Sequence, residues 1–255
     1  MNKPEMSVVT TLYNCEKYVK ESINSILNQT FKHFEFIIMD DGSTDGTRNI
    51  VKSYRDPRIR FFPDTINRKI PYRRNEAISR ARSDLIVIHD GDDISLPDRL
   101  DETYRVMINH QQIFCIGGHA TKIDLEGKEI GEMDYPPEHN PECKKMVIHK
   151  CMNPMIDPTT TFRKKKFDEL GGYSLEQAIY TVPDFDLWLR ATQDGCLFGN
   201  LQYPLIKYRE NPDGMTGRKK DEMIKAHMIV WTRYMKKMQK GRSEKEDKSS
   251  KERPS

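Results

Sequence analysis

A chain of 255 residues with 36% hydrophobic and 32% charged residues and a mean hydropathy of −0.78 can bury one sizeable core under a charge-rich surface. The 42 Lys and Arg against 39 Asp and Glu leave +3, and residues 236–255, with eight basic and four acidic side chains, hold more than that surplus. The near-neutral body argues against a nucleic-acid binder, and no apolar run approaches the roughly 20 residues that span a bilayer. The N-terminus has no apolar signal core, and the five cysteines form no Cys-x-x-Cys pair, so a cytoplasmic protein with reduced thiols is expected.

Residues 7–11 are short and β-branched. Across 16–28, Val19, Ile23, Ile26 and Leu27 recur at helical spacing. Residues 34–39 are apolar except for Glu35, the pattern of a strand buried on both faces. The stretch 40–47 (DDGSTDGT) is turn chemistry, with Asp45 or Ser43 expected to cap a helix lined by Ile50, Val51 and Tyr54. Residues 58–62 read as a strand, 74–82 as a short helix and 85–89 as a further buried strand. Ser95, followed by Pro97 and Asp98, is expected to cap the next helix. This alternation predicts an α/β fold with a mostly parallel central sheet flanked by helices.

The second half is less regular. It reads as a strand at 115–118, a hairpin over 121–131 turning at Glu126 and Gly127, and a proline-rich loop over 135–141. Helices are expected over 144–151 and 183–193, with a Gly171–Gly172 break between them. A last helix carries Met223, Ile224, His227, Met228, Trp231 and Met235 on one face. Past Gln239 there is no large apolar residue, and 240–255 is expected to be a disordered charged tail.

The chemistry concentrates at strand ends. Asp90, Asp92 and Asp93 crowd three carboxylates into four residues after a buried strand. Burying them together is costly without a cation, and their oxygens suit Mg2+ or Mn2+. Asp40 and Asp41 follow another buried strand. Each cluster alone also reads as an ordinary turn. Both should lie on one sheet edge, where ligands of such sheets bind. Asp184 and Asp186 open a helix, where the dipole favours acids, and either suits a general base. Arg73, Arg74, Lys207 and Arg209 are candidate partners for phosphate or hydroxyls, or solvated charges. His89 reads as structural, and no histidine has metal-ligand spacing.

Four stretches in this order, 7–47, 74–100 (RNEAISRARSDLIVIHDGDDISLPDRL), 158–173 (PTTTFRKKKFDELGGY) and 184–191 (DFDLWLRA), resemble the family 2 inverting glycosyltransferases of GT-A fold. The resemblance spans roughly residues 5–215. It implies a Rossmann-like nucleotide-sugar domain over 1–220, with a donor half at 1–117 and an acceptor half at 118–220, followed by an amphipathic helix at 221–239. It further implies a nucleotide-sugar donor, most often UDP-linked, with Thr11 and Tyr13 at the base, Asp41 accepting from uracil, and Arg74 near the base or phosphates. Asp90-x-Asp92 matches the D-x-D motif that binds ribose and holds Mn2+ or Mg2+ on the diphosphate. Asp92 and Asp93 compete for the metal, with Asp92 favoured and Asp93 left to the donor. Asp184 matches the catalytic base that deprotonates a hydroxyl acceptor on a glycan or lipid-linked saccharide. Three departures stand out. Pro183 replaces the usual Glu, 66–71 replaces an Asn-Leu-Gly turn, and Asp157 replaces a common His. The first leaves room for a non-catalytic nucleotide-sugar-binding module. A nucleotidyltransferase would need a glycine-rich basic loop where TTLYNC (10–15) stands. The last helix, with Lys236 and Lys237, is read as packing on its own domain or as a peripheral contact with an anionic membrane.

Overall fold

The computed structural model describes residues 3–251, and their side chains to Met238. The first half alternates as the sequence predicts: β1 (Met6–Leu12), α1 (Val19–Leu27), β2 (Phe34–Asp41), α2 (Thr47–Ser53), β3 (Ile59–Asp64), α3 (Ile70–Ser79) and β4 (Leu85–Ile88). β1 lies between β2 and β4, with β3 outside β2, and all three pairings are parallel. Side chains alternate between two layers. Val9, Ile37, Met39, Ile86 and Ile88 face the α3 side, whereas Met6, Val8, Phe36, Ile38, Leu85 and Val87 meet α1. Both faces of β2 and β4 are therefore covered, which accounts for their unbroken apolar runs.

Glu35 is the exception within β2, and it is fully satisfied. It accepts from Ser7 Oγ at 2.6 Å and from the Arg82 N–H at 2.6 Å, and it pairs with Arg60 and Arg82. Burial would raise its carboxyl, but these donors hold it below the usual range.

The second half adds β5 (Ile94–Ser95), α4 (Arg99–Asn109), β6 (Ile113–Ile123), β7 (Glu129–Met133), α5 (Asn140–Lys150), β8 (Thr161–Arg163), α6 (Lys164–Glu169), α7 (Pro183–Gln193), β9 (Leu197–Arg209), α8 (Met215–Arg218) and α9 (Lys220–Lys251). The sheet order is β3-β2-β1-β4-β8-β6-β9-β5, with β7 on β6. The longest pairings are parallel, and β5, β7 and β8 join antiparallel. The expected hairpin is β6–β7, turning through Gly127 at φ +86°. The boundary drawn at 117/118 falls inside β6, so the two halves share one sheet.

Two readings need correction, and one strand went unread. Ser95 does not cap a helix. It lies in β5, where its Oγ accepts from Arg99 at 2.9 Å and faces His89 Nδ1 at 3.3 Å, and α4 begins later, at Arg99. The 13-residue β9 carried no clear sequence signal, because Gly199 and Pro204 interrupt it and its pairing with β6 shifts register. The expected disordered tail continues α9 as helix through Lys251. Its Lys, Arg and Glu are good helix formers, and Glu244/Lys248 and Asp247/Lys251 stand at i,i+4. Residues 252–255 of that segment lie outside the described residues.

α9 packs on the domain. Ala226, Val230 and Tyr234 are buried against Val147, Ile179, Val182, Phe185 and Leu189, and Trp231 Nε1 donates to the Ile148 carbonyl at 2.9 Å. The inner face is thus rotated from the predicted one, and Ile224 and Met228 point outward, 55% and 50% exposed. Among the described residues no helix is long and apolar enough to cross a membrane.

Candidate active site

The carboxyl ends of β1, β2 and β4 form one edge, and each contributes a turn. After β4, Asp90–Asp93 form a tight turn in which the Asp93 N–H donates to the Asp90 carbonyl at 3.3 Å. A Cβ on Gly91 would come within 2.3 Å of Leu12 Cδ2, so a larger residue there would force the buried Leu12 side chain to shift. After β2, Gly42 takes φ +81°, the left-handed region glycine enters without cost. The β1 and β2 turns are stitched together. Asn14 N–H donates to Ser43 Oγ, Thr44 N–H to Asn14 Oδ1, and Glu16 N–H to Asp45 Oδ2. Asp45 also accepts the Thr47 N–H at 3.0 Å in a turn, but the N-cap position of α2 is Gly46, so neither Asp45 nor Ser43 caps the helix as expected. Thr11 and Tyr13 sit on this edge with Tyr13 exposed.

Asp41 is buried and already occupied. Its Oδ1 accepts from the Arg68 N–H at 2.7 Å and from Arg73 Nε at 2.8 Å, and its Oδ2 accepts from the Lys69 N–H at 3.0 Å. The 66–71 segment thus wraps this carboxylate, with Lys69 in the left-handed region at φ +73°. One acceptor position remains, on Oδ2. Arg73 is not a free phosphate partner, since it also pairs with Asp64 and Glu76.

Asp92, which the resemblance favours for the metal, and Asp93 differ in burial and partners. Asp93 is fully buried, and its Oδ1 accepts the Arg209 N–H at 2.9 Å, so it faces inward rather than toward a donor. Burial and the charges of Asp92 and Asp90 push its carboxyl well above the usual range. Asp92 stays partly open, with its carboxyl pushed up to about 6 by burial and Asp90. On α7, Asp186 pairs with Arg190 at 2.7 Å, and the Arg190 guanidinium is spent on the carbonyls of Leu170 and Gly172. Asp184, in the first turn of α7, is partly buried. It accepts from Asn153 Nδ2 at 2.8 Å, and burial raises its carboxyl against the Phe185 N–H, Arg74 and Asn153.

Arg74 connects the two sides. It donates to Asp90 Oδ1 at 2.6 Å and pairs with Asp157, whose carboxyl burial pushes up to about 7. Tyr135 stands beside these acids, its hydroxyl pushed up to about 12 by burial and by Asp184 and Asp157. Asn153 and Tyr135 carried no usable sequence signal. The Asp186–Arg190 spacing of i,i+4 did, and it could have singled out Asp184.

Two expected cations are elsewhere. Lys207 pairs with Glu129 across β9 and β7. Arg209 is buried, donating to the carbonyls of Asp92, Asp124 and Leu125 and pairing with Glu21 at 2.7 Å, so it braces the Asp90–Asp93 turn. His89 is structural as expected, between Ser22 Oγ and Ser95 Oγ, with burial and Arg99 holding it down to about 3.

The sequence profile described as Glycosyl transferase family 2 matches residues 7–175. The chain belongs to that family. Among relatives of this glycosyltransferase, EpsE of Bacillus subtilis, whose name assigns it as a glycosyltransferase, is 32% identical over 89% of this chain and 81% of its own length. A protein of Methanocaldococcus jannaschii named only as a glycosyltransferase, MJ1057, is 33% identical over 93% of this chain and 82% of its own. The O-antigen biosynthesis glycosyltransferase WbnJ of Escherichia coli is 31% identical over 80% of this chain and 79% of its own. The fold of the glycosyltransferase is that of S. aureus TarS residues 1–349 in complex with UDP, with a TM-score of 0.69 at 20% identity over 89% of this chain. The chain spans 65% of that TarS chain. A TarS structure with UDP-GlcNAc superposes at a TM-score of 0.69 and 21% identity. The fold is therefore GT-A, a curled sheet whose longest pairings are parallel, flanked by helices.

Proposed function

We propose that the chain transfers a sugar, with inversion, from a UDP-sugar to a hydroxyl of a growing glycan or lipid-linked saccharide in polysaccharide biosynthesis. The observation that carries this reading is the buried Arg74 bridge between Asp90 of the β4 turn and Asp157, with Asp184 close enough for its charge to act on Asp157. WbnJ, named for O-antigen biosynthesis, and the TarS complexes with UDP and UDP-GlcNAc support the acceptor and donor classes.

The acids fit a divalent cation. The Asp93 Oδ2 is buried without a partner among the described residues, and Asp92 is open with its charge disfavoured until a cation arrives. Among the described residues no three acidic, His or Cys side chains form a ready-made cage. Mg2+ or Mn2+ usually takes only one or two protein carboxylates, with the donor's phosphates completing its shell. Asp92 would hold the ion, Asp90 would serve the donor, and Asp93 would position the turn from within. The ion would neutralise charge on the departing diphosphate. Thr11, Tyr13 and the free position on Asp41 would receive the base.

Asp184 takes the proton from the acceptor hydroxyl as its oxygen bonds to the anomeric carbon. The bond from that carbon to the diphosphate oxygen breaks, and UDP leaves with the bonding pair. The single displacement inverts configuration. The test is release of UDP from UDP-glucose, UDP-galactose and UDP-GlcNAc with Mn2+, water serving as the acceptor. Slow release from at least one sugar is expected. Binding of a donor without turnover across water and added saccharides would instead favour the non-catalytic module.

Peripheral membrane contact is a separate proposal, and it rests on the outward Ile224 and Met228 beside Lys225. Replacing both with Glu is expected to abolish binding to vesicles rich in anionic phospholipid without altering the melting temperature. Truncation after residue 220 is expected to destabilise the fold, because it uncovers Phe185, Val182 and Leu189. Vesicle binding unchanged in the double variant would contradict the contact.

A further inference from the structure

Arg74 is the cation that the two sides of the cleft share. One terminal nitrogen donates to Asp90 Oδ1 at 2.6 Å, the other donates to Asp157 Oδ2, and the guanidinium lies 5.9 Å from the Tyr173 ring centroid. Asp90 opens the donor turn. Asp157 begins a short 3-10 turn (Asp157–Thr159) on the far side, and its carboxyl senses the charge of Asp184.

Asp157 is a costly residue to keep there. Its side chain is 12% exposed, its Oδ1 has no partner among the described residues, and Arg74 is the one side-chain hydrogen-bond partner of its carboxyl among them. A buried acceptor left unpaired calls for a reason. Stability is a poor one, since exchanging a buried ion pair for apolar groups is often neutral or stabilising. Arg74 supplies a better reason. A guanidinium favours two-pronged pairing with one carboxylate. With Asp157 absent, the carboxylate left to Arg74 is Asp90, and the guanidinium would close on the turn that receives the donor and its cation.

We infer that Asp157 is a positioning residue that holds one end of the Arg74 guanidinium, so that Asp90 takes a single hydrogen bond from it rather than two and the donor turn keeps a carboxylate oxygen available to its ligand. Asp157 acts through Arg74 and touches neither donor nor acceptor. The inference rests on the proposed donor site at Asp90–Asp93.

The test is a double-mutant cycle on UDP binding in the presence of Mn2+, measured by calorimetry. Asp157→Asn is expected to weaken binding about tenfold, and Asp157→Glu to restore it to within about twofold. In an Arg74→Gln background, Asp157→Asn is expected to change binding less than about twofold, because the residue it acts through is gone. Equal losses in both backgrounds would assign Asp157 a merely structural role and overturn the inference. An unchanged affinity in the single variant would do the same. Wild-type protein that binds no UDP would remove the donor reading itself, and the inference with it, which separates the two failures. Should Asp157→Asn fail to fold, the unmutated protein still carries a ligand-free test in nitrogen-detected NMR of the Arg74 guanidinium. With both ends held, its terminal nitrogens give separate resonances. A single averaged resonance would overturn the inference.

Discussion

Asp184→Asn is expected to slow UDP release and sugar transfer by about 10²–10⁴-fold, the usual contribution of a positioned general base. The amide has the shape of the carboxylate and can still accept from Asn153, but it cannot take a proton. The fold should survive. Burial disfavours the Asp184 charge, so the native state holds its proton more tightly than the unfolded chain does. By linkage, Asp184 costs stability progressively as pH rises from its unfolded to its raised native value, in full above the latter and not at all well below the former. The variant should therefore melt at or above the wild-type temperature at neutral pH and match it in acid. The wild-type rate should fall on the acid side at a pH above the ordinary carboxylate range, because the base must be ionised to act. Parallel pH–rate and melting profiles of the two proteins check all three outcomes. A variant that keeps activity within a few-fold would mean that Asp184 is not the base.

Arg73→Ala is expected to cost about 3–5 kcal/mol, the usual result of removing one partner from a buried ion pair. Arg73 is 2% exposed and serves Asp41, Asp64 and Glu76 together. Its loss leaves Asp41 buried, with the backbone N–H groups of Arg68 and Lys69 as its remaining donors. The melting temperature should drop by roughly 6–20 °C, given 2–4 °C per kcal/mol for a chain of this size. An acid signature should accompany the drop. Hydrogen bonding from Arg73 holds Asp64 down to about 2. Its stabilising contribution is full above the unfolded value near 4 and is lost as pH falls toward 2, so the wild type should lose stability across that window. The variant should show a weaker dependence there. Denaturant titrations from pH 2 to 7 read both effects. A loss under 1 kcal/mol would mean that the 66–71 segment holds Asp41 without Arg73.

The order β1 to β4 was legible because each strand is a short apolar run and each helix between them carries a helical stripe. That order placed Asp41 and Asp90–Asp93 on one edge before any coordinates. Asp184 was legible only through family resemblance, since an acid in a first helical turn has a sufficient local explanation in the dipole. The choice between Asp92 and Asp93 was not legible. It depends on the backbone N–H of Arg209, 116 residues away in sequence, at the end of a strand that Gly199 and Pro204 disguise. For the same reason Arg209 and Lys207 resembled phosphate partners. A charged residue's sequence neighbours do not reveal which distant carbonyls or acids will claim it. The rotated face of α9 follows the same logic. Ala226 and Tyr234 point inward and Ile224 and Met228 outward because Val147, Ile179 and Phe185 fix where the groove lies, which helical periodicity alone cannot locate.

The most direct test of the account is thermal stabilisation by UDP, with and without Mn2+, in the wild type and in Asp92→Ala. Binding to the native state at a hundredfold excess over Kd adds about 2.7 kcal/mol. For a chain of this size that is a rise of roughly 5–10 °C. The account predicts a rise that requires both UDP and Mn2+ in the wild type and is absent from Asp92→Ala. No rise with UDP and Mn2+ in the wild type, or the same rise in Asp92→Ala, would contradict it.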